Sequence, residues 1–384
     1  MIRAKAHTVP SPVEPGDHFL QGNQACAYGA VLAGCDFFAG YPITPSSEIM
    51  VQIVGQFAST GGRFVQMEDE IGSLAAVIGA AWAGARAMTA TSGPGFSLMM
   101  ENLGYAIMTE TPCVLIDVQR VGPSTGQATR PAQADLMQAR WGTHGGFPAV
   151  AVCPWSVQEM MTETIRAFNL AEKYRVPVIV LADEVVAHLR ERCSVPAEVT
   201  RYSRHYEPGA PPFGPNGDSP VPSMPKFGDR EKLLVTGSTH DETGFRRTFH
   251  ADVQREMGER LFAKIALHAD DIVRTEAYML DDAEVVFVSL GFSARSAHTA
   301  ARRLRSDGVR AGLLRLRTVW PLPEEQIRAA CEGARRIVVP EMNSGQLVCE
   351  VRRVLGGRDV LSCIRHDGEP ITPGEILEFT REAL

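Results

Sequence analysis

The chain has 384 residues, enough for two or three domains at roughly 150 residues each. Hydrophobic residues make up 45% and charged residues 22%, which excludes disorder of the whole chain. The formal net charge of −7 gives no electrostatic case for nucleic acid, and no apolar run approaches the ~18 residues of a membrane-spanning helix.

Residues 1–20 read as an N-terminal extension. They lack the apolar stretch of a signal peptide, so a cytoplasmic location is expected. Residues 21–191 alternate short apolar runs with longer helical patterns. Strands are predicted at Asp36–Tyr41, Arg63–Met67, Arg86–Thr91, Pro112–Val118 and Pro177–Leu181. Helices are predicted at Asn23–Ala33, Ser46–Ala58, Glu70–Ala83, Phe96–Met108 and Ser156–Tyr174. Apolar strands alternating with helices imply parallel βα units. Residues 192–230 read as a linker, because Pro208–Pro225 carries seven prolines and three glycines. Residues 231–384 repeat the alternation. Strands are expected at Leu233–Thr236, Glu284–Leu290, Arg310–Arg315, Arg336–Val339 and Val360–Ser362, with helices at Phe245–Leu267, Ala294–Ser306, Glu324–Glu332 and Gln346–Leu355. The fold class is α/β, with two doubly wound three-layer domains in tandem.

The eight cysteines are scattered, and the closest pair, Cys26 and Cys35, stands nine apart. The Cys-x-x-Cys spacing of zinc and iron–sulfur sites is absent, so the cysteines read as small buried hydrophobes kept reduced. Any redox metal centre is therefore expected on another chain. No Gly-x-Gly-x-x-Gly or Walker A loop occurs; the nearest loops, Thr91–Gly95 and Gly291–Arg295, match neither. His240-Asp241-Glu242 reads as a loop feature, since three consecutive residues cannot all face one ion.

Three loops at predicted strand ends carry chemistry, because ligands of open α/β sheets bind there. In Gly40–Glu48 (GYPITPSSE), Thr44 before Pro45 reads as a helix N-cap, or as a hydroxyl facing an anion at a helix start; both are compatible. In Met67–Ser73 (MEDEIGS), Asp69 reads as a cap and the acids suit the helix dipole. An acid leading so apolar a helix is also a candidate for a perturbed pKa. In Asp117–Arg130, Arg120 enters a loop rich in glycine and hydroxyls, either solvated or as a clamp for a carboxylate.

Together with Thr91–Ser97 and His240–Gly244, these loops resemble the alpha subunits of the 2-oxoacid:ferredoxin oxidoreductases, most closely the 2-oxoglutarate (2-ketoglutarate) branch. The resemblance runs from about Gln21 to the C-terminus. It implies a pyrimidine-binding domain of thiamine-diphosphate enzymes followed by a transketolase C-terminal-like domain. It implies thiamine diphosphate shared with a beta subunit that supplies the diphosphate and Mg2+ site, marked by a Gly-Asp-Gly motif that is missing here. Glu70 matches the acid that bonds the aminopyrimidine ring and favours the imino form that accepts the thiazolium proton. Thr44 and Arg120 match substrate-contacting residues, and Ser124, Thr125 and Thr129 extend that surface. Pro42, Ile43, Gly93 and Gly95 fall on the cofactor loops. Arg130 is a conjectured anchor for a distal carboxylate. Val121 and Ala128 depart from the family pattern within the substrate loop. The implied reaction is coenzyme-A-dependent oxidative decarboxylation of 2-oxoglutarate to succinyl-CoA. Its implied partners are ferredoxin, gamma- and delta-type subunits and [4Fe-4S] clusters on other chains. Pyruvate or a branched-chain 2-oxoacid is the alternative substrate, and a non-catalytic assembly subunit the alternative role.

Overall fold

The computed structural model describes residues 4–229 and 232–384. Two twisted sheets form the frame. The first is eight-stranded. Its edge-to-edge path runs Thr318–Trp320, Val150–Val152, Pro177–Asp183, Cys113–Val121, Ala87–Thr91, Phe37–Gly40 and Arg63–Gln66, and Gln127–Pro131 pairs with the end of Cys113–Val121 as a hairpin. All neighbours from Val150–Val152 to Arg63–Gln66 are parallel. The second sheet has five strands in the order Thr275–Tyr278, Ala311–Leu316, Val285–Leu290, Arg336–Glu341 and Val360–Ile364, with only the first antiparallel.

Helices cover both faces of each sheet, as the two-domain α/β expectation requires. On one face of the first sheet, Gly22–Leu32, Ser47–Thr60 and Val157–Tyr174 bury Ala25, Ile49, Ile53 and Phe168 in one apolar cluster. On the other face, Glu70–Trp82 and Met100–Met108 bury Leu74, Val77 and Leu103. That second cluster continues without a break into Val286, Leu314, Ile337 and Leu347 of the second sheet and its helices. The two domains therefore share one core. Trp320, on a strand that the second half of the chain lends to the first sheet, seals this junction and donates to the Leu136 carbonyl at 2.8 Å.

Several expectations need correction. Residues 192–203 are not linker: Arg190–Val195 pairs with Gly16–Gln21, and Glu198–Ser203 pairs with Lys5–Pro10, both antiparallel. These ribbons also give the N-terminal extension a place in the fold. The Pro/Gly stretch has no regular structure, yet it is packed rather than loose. Phe213, Val221 and Met224 are buried, and the fully buried Arg175 donates to the carbonyls of Pro212 (2.6 Å) and Ser223 (2.8 Å). Leu233–Thr236 is not a strand, and the helix expected from Phe245 starts at Ala251. The helix expected at 96–108 is two helices, Gly93–Leu98 and Met100–Met108. The expected boundary at 230–231 lies outside the described residues. Seven of the eight cysteines are buried and none is bonded to another; Cys349 is exposed.

Candidate active site

The strand order creates a crevice. Phe37–Gly40 is followed by a crossover to Arg63–Gln66 on one side, while Ala87–Thr91 is followed by Cys113–Val121 on the other. Their loops diverge at adjacent carboxyl ends, which is where open α/β sheets bind ligands. All three sequence-marked loops meet around this point.

The 41–46 loop does not cap its helix through Thr44. The helix runs Ser47–Thr60 with Ser46 at the N-cap position, and Ser46 Oγ bonds the Ile43 carbonyl at 2.9 Å. The Thr44–Ser46 turn that precedes it leaves the Thr44 side chain exposed, with Pro42 exposed and Ile43 half-buried. Two donors pin the loop from behind. Asn23 Nδ2 reaches the Pro45 carbonyl at 2.8 Å, and Arg120 Nη1 reaches the Thr44 carbonyl at 2.6 Å.

Glu70 begins the helix Glu70–Trp82, and Asp69 caps it by accepting from the Gly72 amide at 2.7 Å, as expected. The helix packs on the two strands that flank the crevice. Glu70 is buried (4% exposed), and burial raises its pKa above the ordinary carboxylate value despite the Arg120 charge. It lies against Gly95, where a β-carbon would fall 2.3 Å from Oε1. A desolvated acid held where only a glycine leaves room for its carboxyl suits the edge of a flat, weakly basic heterocycle. The aminopyrimidine of thiamine diphosphate has that chemistry, so the residues present fit the cofactor.

Arg120 is buried (7% exposed). Its buried Nε has no hydrogen-bond partner among the described residues, so the guanidinium keeps unused donor capacity beside the cavity it lines. Arg120, Ser124 and Gly93 line one cavity of about 710 Å³, whose far wall is Asn343, Gln346 and His366 of the second domain. Thr125 and Thr129 are exposed on the hairpin and do not line it. Arg130 is half-exposed and paired with Glu369 at 2.7 Å, outside the cavity.

Sequence reasoning missed the acids behind this wall. Asp117 is fully buried on the Arg120 strand, and among the described residues neither of its oxygens meets a donor residue. Asp135 lies beside it at 9% exposed and lines the cavity. Burial, then the neighbouring Asp135 carboxyl, pushes the Asp117 pKa well up; burial also lifts Asp135, to about 6, against the hydrogen bond from Asp117 and the pull of Arg120. A lone acid inside the apolar run Cys113–Val118 was the available signal. Gln133 was missed too. Its side chain bonds Asp183, Leu290, Ser293 and the Met342 amide, and its backbone bonds Met342 and Asn343. The second domain thus grips the segment that carries Asp135.

Comparison with known proteins identifies the family. Residues 28–259 match the family model described as pyruvate flavodoxin/ferredoxin oxidoreductase, thiamine diphosphate-binding, and residues 283–376 match pyruvate:ferredoxin oxidoreductase core domain II. The 2-oxoglutarate synthase subunit KorA of Methanothermobacter marburgensis is 51% identical over 94% of this chain and 97% of its own. The ketoisovalerate oxidoreductase subunit VorB of the same organism is 39% identical over 94% and 97%. A solved structure of 2-oxoglutarate:ferredoxin oxidoreductase from Magnetococcus marinus, with 2-oxoglutarate, coenzyme A and succinyl-CoA bound, superposes with a TM-score of 0.90 at 32% identity, covering 96% of this chain and 65% of that one. The chain belongs to the thiamine-diphosphate-dependent 2-oxoacid:ferredoxin oxidoreductases, in the family of their KorA-type alpha subunits.

Proposed function

We propose that this chain is the alpha subunit of an enzyme that oxidatively decarboxylates 2-oxoglutarate to succinyl-CoA and carbon dioxide, passing two electrons singly to ferredoxin. The observation that carries the reading is the buried Glu70 against Gly95, with Arg120 converging on the same strand-end crevice. The KorA relative and the Magnetococcus enzyme, named for 2-oxoglutarate, support the substrate. The VorB likeness keeps a branched-chain 2-oxoacid as the alternative.

Thiamine diphosphate, when bound, supplies the nucleophilic carbon and the electron sink. Glu70 would hold the aminopyrimidine ring nitrogen and keep a proton there, with Gly93, Gly95, Pro42 and Ile43 along the ring. Arg120 would bind the 1-carboxylate, while its bond to the Thr44 carbonyl would set the Thr44 hydroxyl over the 2-oxo group. Ser124 borders the same cavity, and Thr125 and Thr129 would contact substrate only if the hairpin closes over it. The beta subunit would bring Mg2+ and the diphosphate site, and partner chains the [4Fe-4S] clusters, coenzyme A handling and ferredoxin docking. Gamma- and delta-type subunits would complete such an assembly.

The test is a substrate scan on the co-purified complex with thiamine diphosphate, Mg2+ and coenzyme A, following reduction of a low-potential dye. Coenzyme-A-dependent reduction with 2-oxoglutarate, and little with pyruvate or 2-oxoisovalerate, is the expected result. Preference for either other acid would overturn the substrate and keep the chemistry. Absence of turnover in a fully loaded complex would overturn the catalytic reading.

A further inference from the structure

The Arg120 cavity contains three ionisable side chains among the described residues: Arg120, Asp135 and His366. An acid in a cavity meant for an anion needs a reason. Among the described residues Asp135 Oδ2 has no donor other than the Asp117 carboxyl beside it, although the residue is nine-tenths buried. Its backbone amide is fixed to Gln119 Oε1 at 3.1 Å, and Asp135 Oδ2 would lie 3.5 Å from a β-carbon on Gly93, at the mouth of the cofactor loop. Behind it Asp117 has no donor residue either among the described residues. Two buried carboxyls in contact cannot both be ionised, so the pair shares one proton and titrates as a unit. Among the described residues the one cation acting on Asp135 is Arg120.

We propose that Asp135 is a proton-linked partner of substrate binding: when a 2-oxoacid carboxylate docks on Arg120, Asp135 takes up one proton, and the cavity closes around the anion without a second buried negative charge. The inference rests on the 2-oxoacid reading above. The physical sequence is short. In the empty cavity Arg120 favours the Asp135 carboxylate. An incoming carboxylate neutralises that field and adds its own repulsion. Asp135 then prefers the neutral acid, whose O–H can donate to the bound anion. The charged groups facing Asp135 are Asp117 and Arg120 on its neighbouring strand and His366 across the cavity. One proton stays with the Asp117–Asp135 pair throughout, because both carboxyls are buried. The residue acts on substrate charge, so its signature is a pH slope rather than a simple loss of rate.

The test uses the whole complex. Calorimetry of N-oxalylglycine, an isostere of 2-oxoglutarate that resists decarboxylation, is run at pH 7 in buffers of different ionisation enthalpy. Uptake of close to one proton is expected from the wild type. In turnover, KM should rise about tenfold per pH unit above the Asp135 titration. Asp135→Asn should abolish both the uptake and the slope, and bind more tightly than wild type at pH 8. His366→Gln is the control, because His366 is the ionisable side chain across the cavity; it should keep the slope. No proton uptake by the wild type, or a slope that survives Asp135→Asn and disappears in His366→Gln, would overturn the proposal. If the substrate scan selects another 2-oxoacid, the KM profile is run with that acid and oxalate replaces N-oxalylglycine, since the 1-carboxylate is common to all. Failure of the substrate reading thus stays separate from failure of this one.

Discussion

A β-carbon on Gly95 would lie 2.3 Å from Oε1 of Glu70 and 2.2 Å from Oγ1 of Thr91. Thr91 is fully buried on a central strand and cannot retreat, so the Glu70 carboxylate is the group that must move. Gly95→Ala is therefore a displacement of Glu70 made from a distance. Misplacing a catalytic group by about an ångström costs on the order of 100-fold. We expect kcat to fall by about that factor in the assembled complex, with cofactor affinity weakened. Unchanged kcat in Gly95→Ala would mean that Glu70 does not need its present position.

Glu70→Gln keeps the shape and removes the acid. Acid–base groups contribute about 10²–10⁴-fold, and a loss in that range is expected with subunit assembly intact. A purely architectural subunit would show unchanged turnover. The same variant has a stability signature. Burial raises the folded pKa of Glu70 above its unfolded value of about 4.3. Its stabilising contribution is complete below that value and is lost as pH rises through the folded pKa. At neutral pH the ionised acid is a cost that glutamine lacks. The isolated Glu70→Gln chain should therefore melt higher than wild type at pH 7, and the advantage should vanish near pH 4.

The residues that sequence made legible are those delivered by short motifs at strand ends. Glu70 follows a capping acid and leads an apolar helix, and Arg120 leaves a buried strand into a glycine-rich hairpin, so type and position both speak. Thr44 is wrong as a cap, because the chain needs one more turn before the helix starts at Ser47. Asp135 was not legible. It lies in a stretch without a motif, and only folding brings it to Asp117 and Arg120. The ribbons were hidden for a related reason. Gly16–Gln21 pairs with Arg190–Val195 across the whole first domain, and a polar two-stranded ribbon has no periodicity that a local window can detect. Thr318–Trp320 joining the first sheet is likewise a tertiary choice, made where the two halves share their core.

Arg120→Lys tests the double duty of the guanidinium. Nη1 holds the Thr44 carbonyl while the guanidinium keeps unused donor capacity, and a lysine cannot do both with fork geometry. Charge-assisted hydrogen bonds contribute about 1.5–3 kcal/mol, so KM should rise roughly 10- to 100-fold. Because the Thr44 loop also loses a tether, kcat should fall with it. An elevated KM with kcat untouched would confine Arg120 to the carboxylate and assign the Thr44 loop to Asn23 alone.

Glu110 anchors the packed arm well away from the site, and its loss separates stability from chemistry. It is buried, and it accepts from Arg260 at 2.7 and 2.8 Å and from Lys264 at 2.6 Å. Burial opposes its charge, but Arg260 and Lys264 together outweigh that and hold the carboxyl well below the usual range. A depressed folded pKa stabilises above the unfolded value of about 4.3, and the contribution drains away as pH falls below it. Glu110→Gln leaves Lys264 buried without a counter-charge, a defect that costs about 3–5 kcal/mol. The variant should melt well below wild type at pH 7, and the gap should narrow steadily as acid protonates wild-type Glu110. Turnover per folded complex should be unchanged at temperatures where both are folded, because none of these side chains lines the Arg120 cavity. A pH-independent gap would mean that the carboxylate contributes through shape and not through charge.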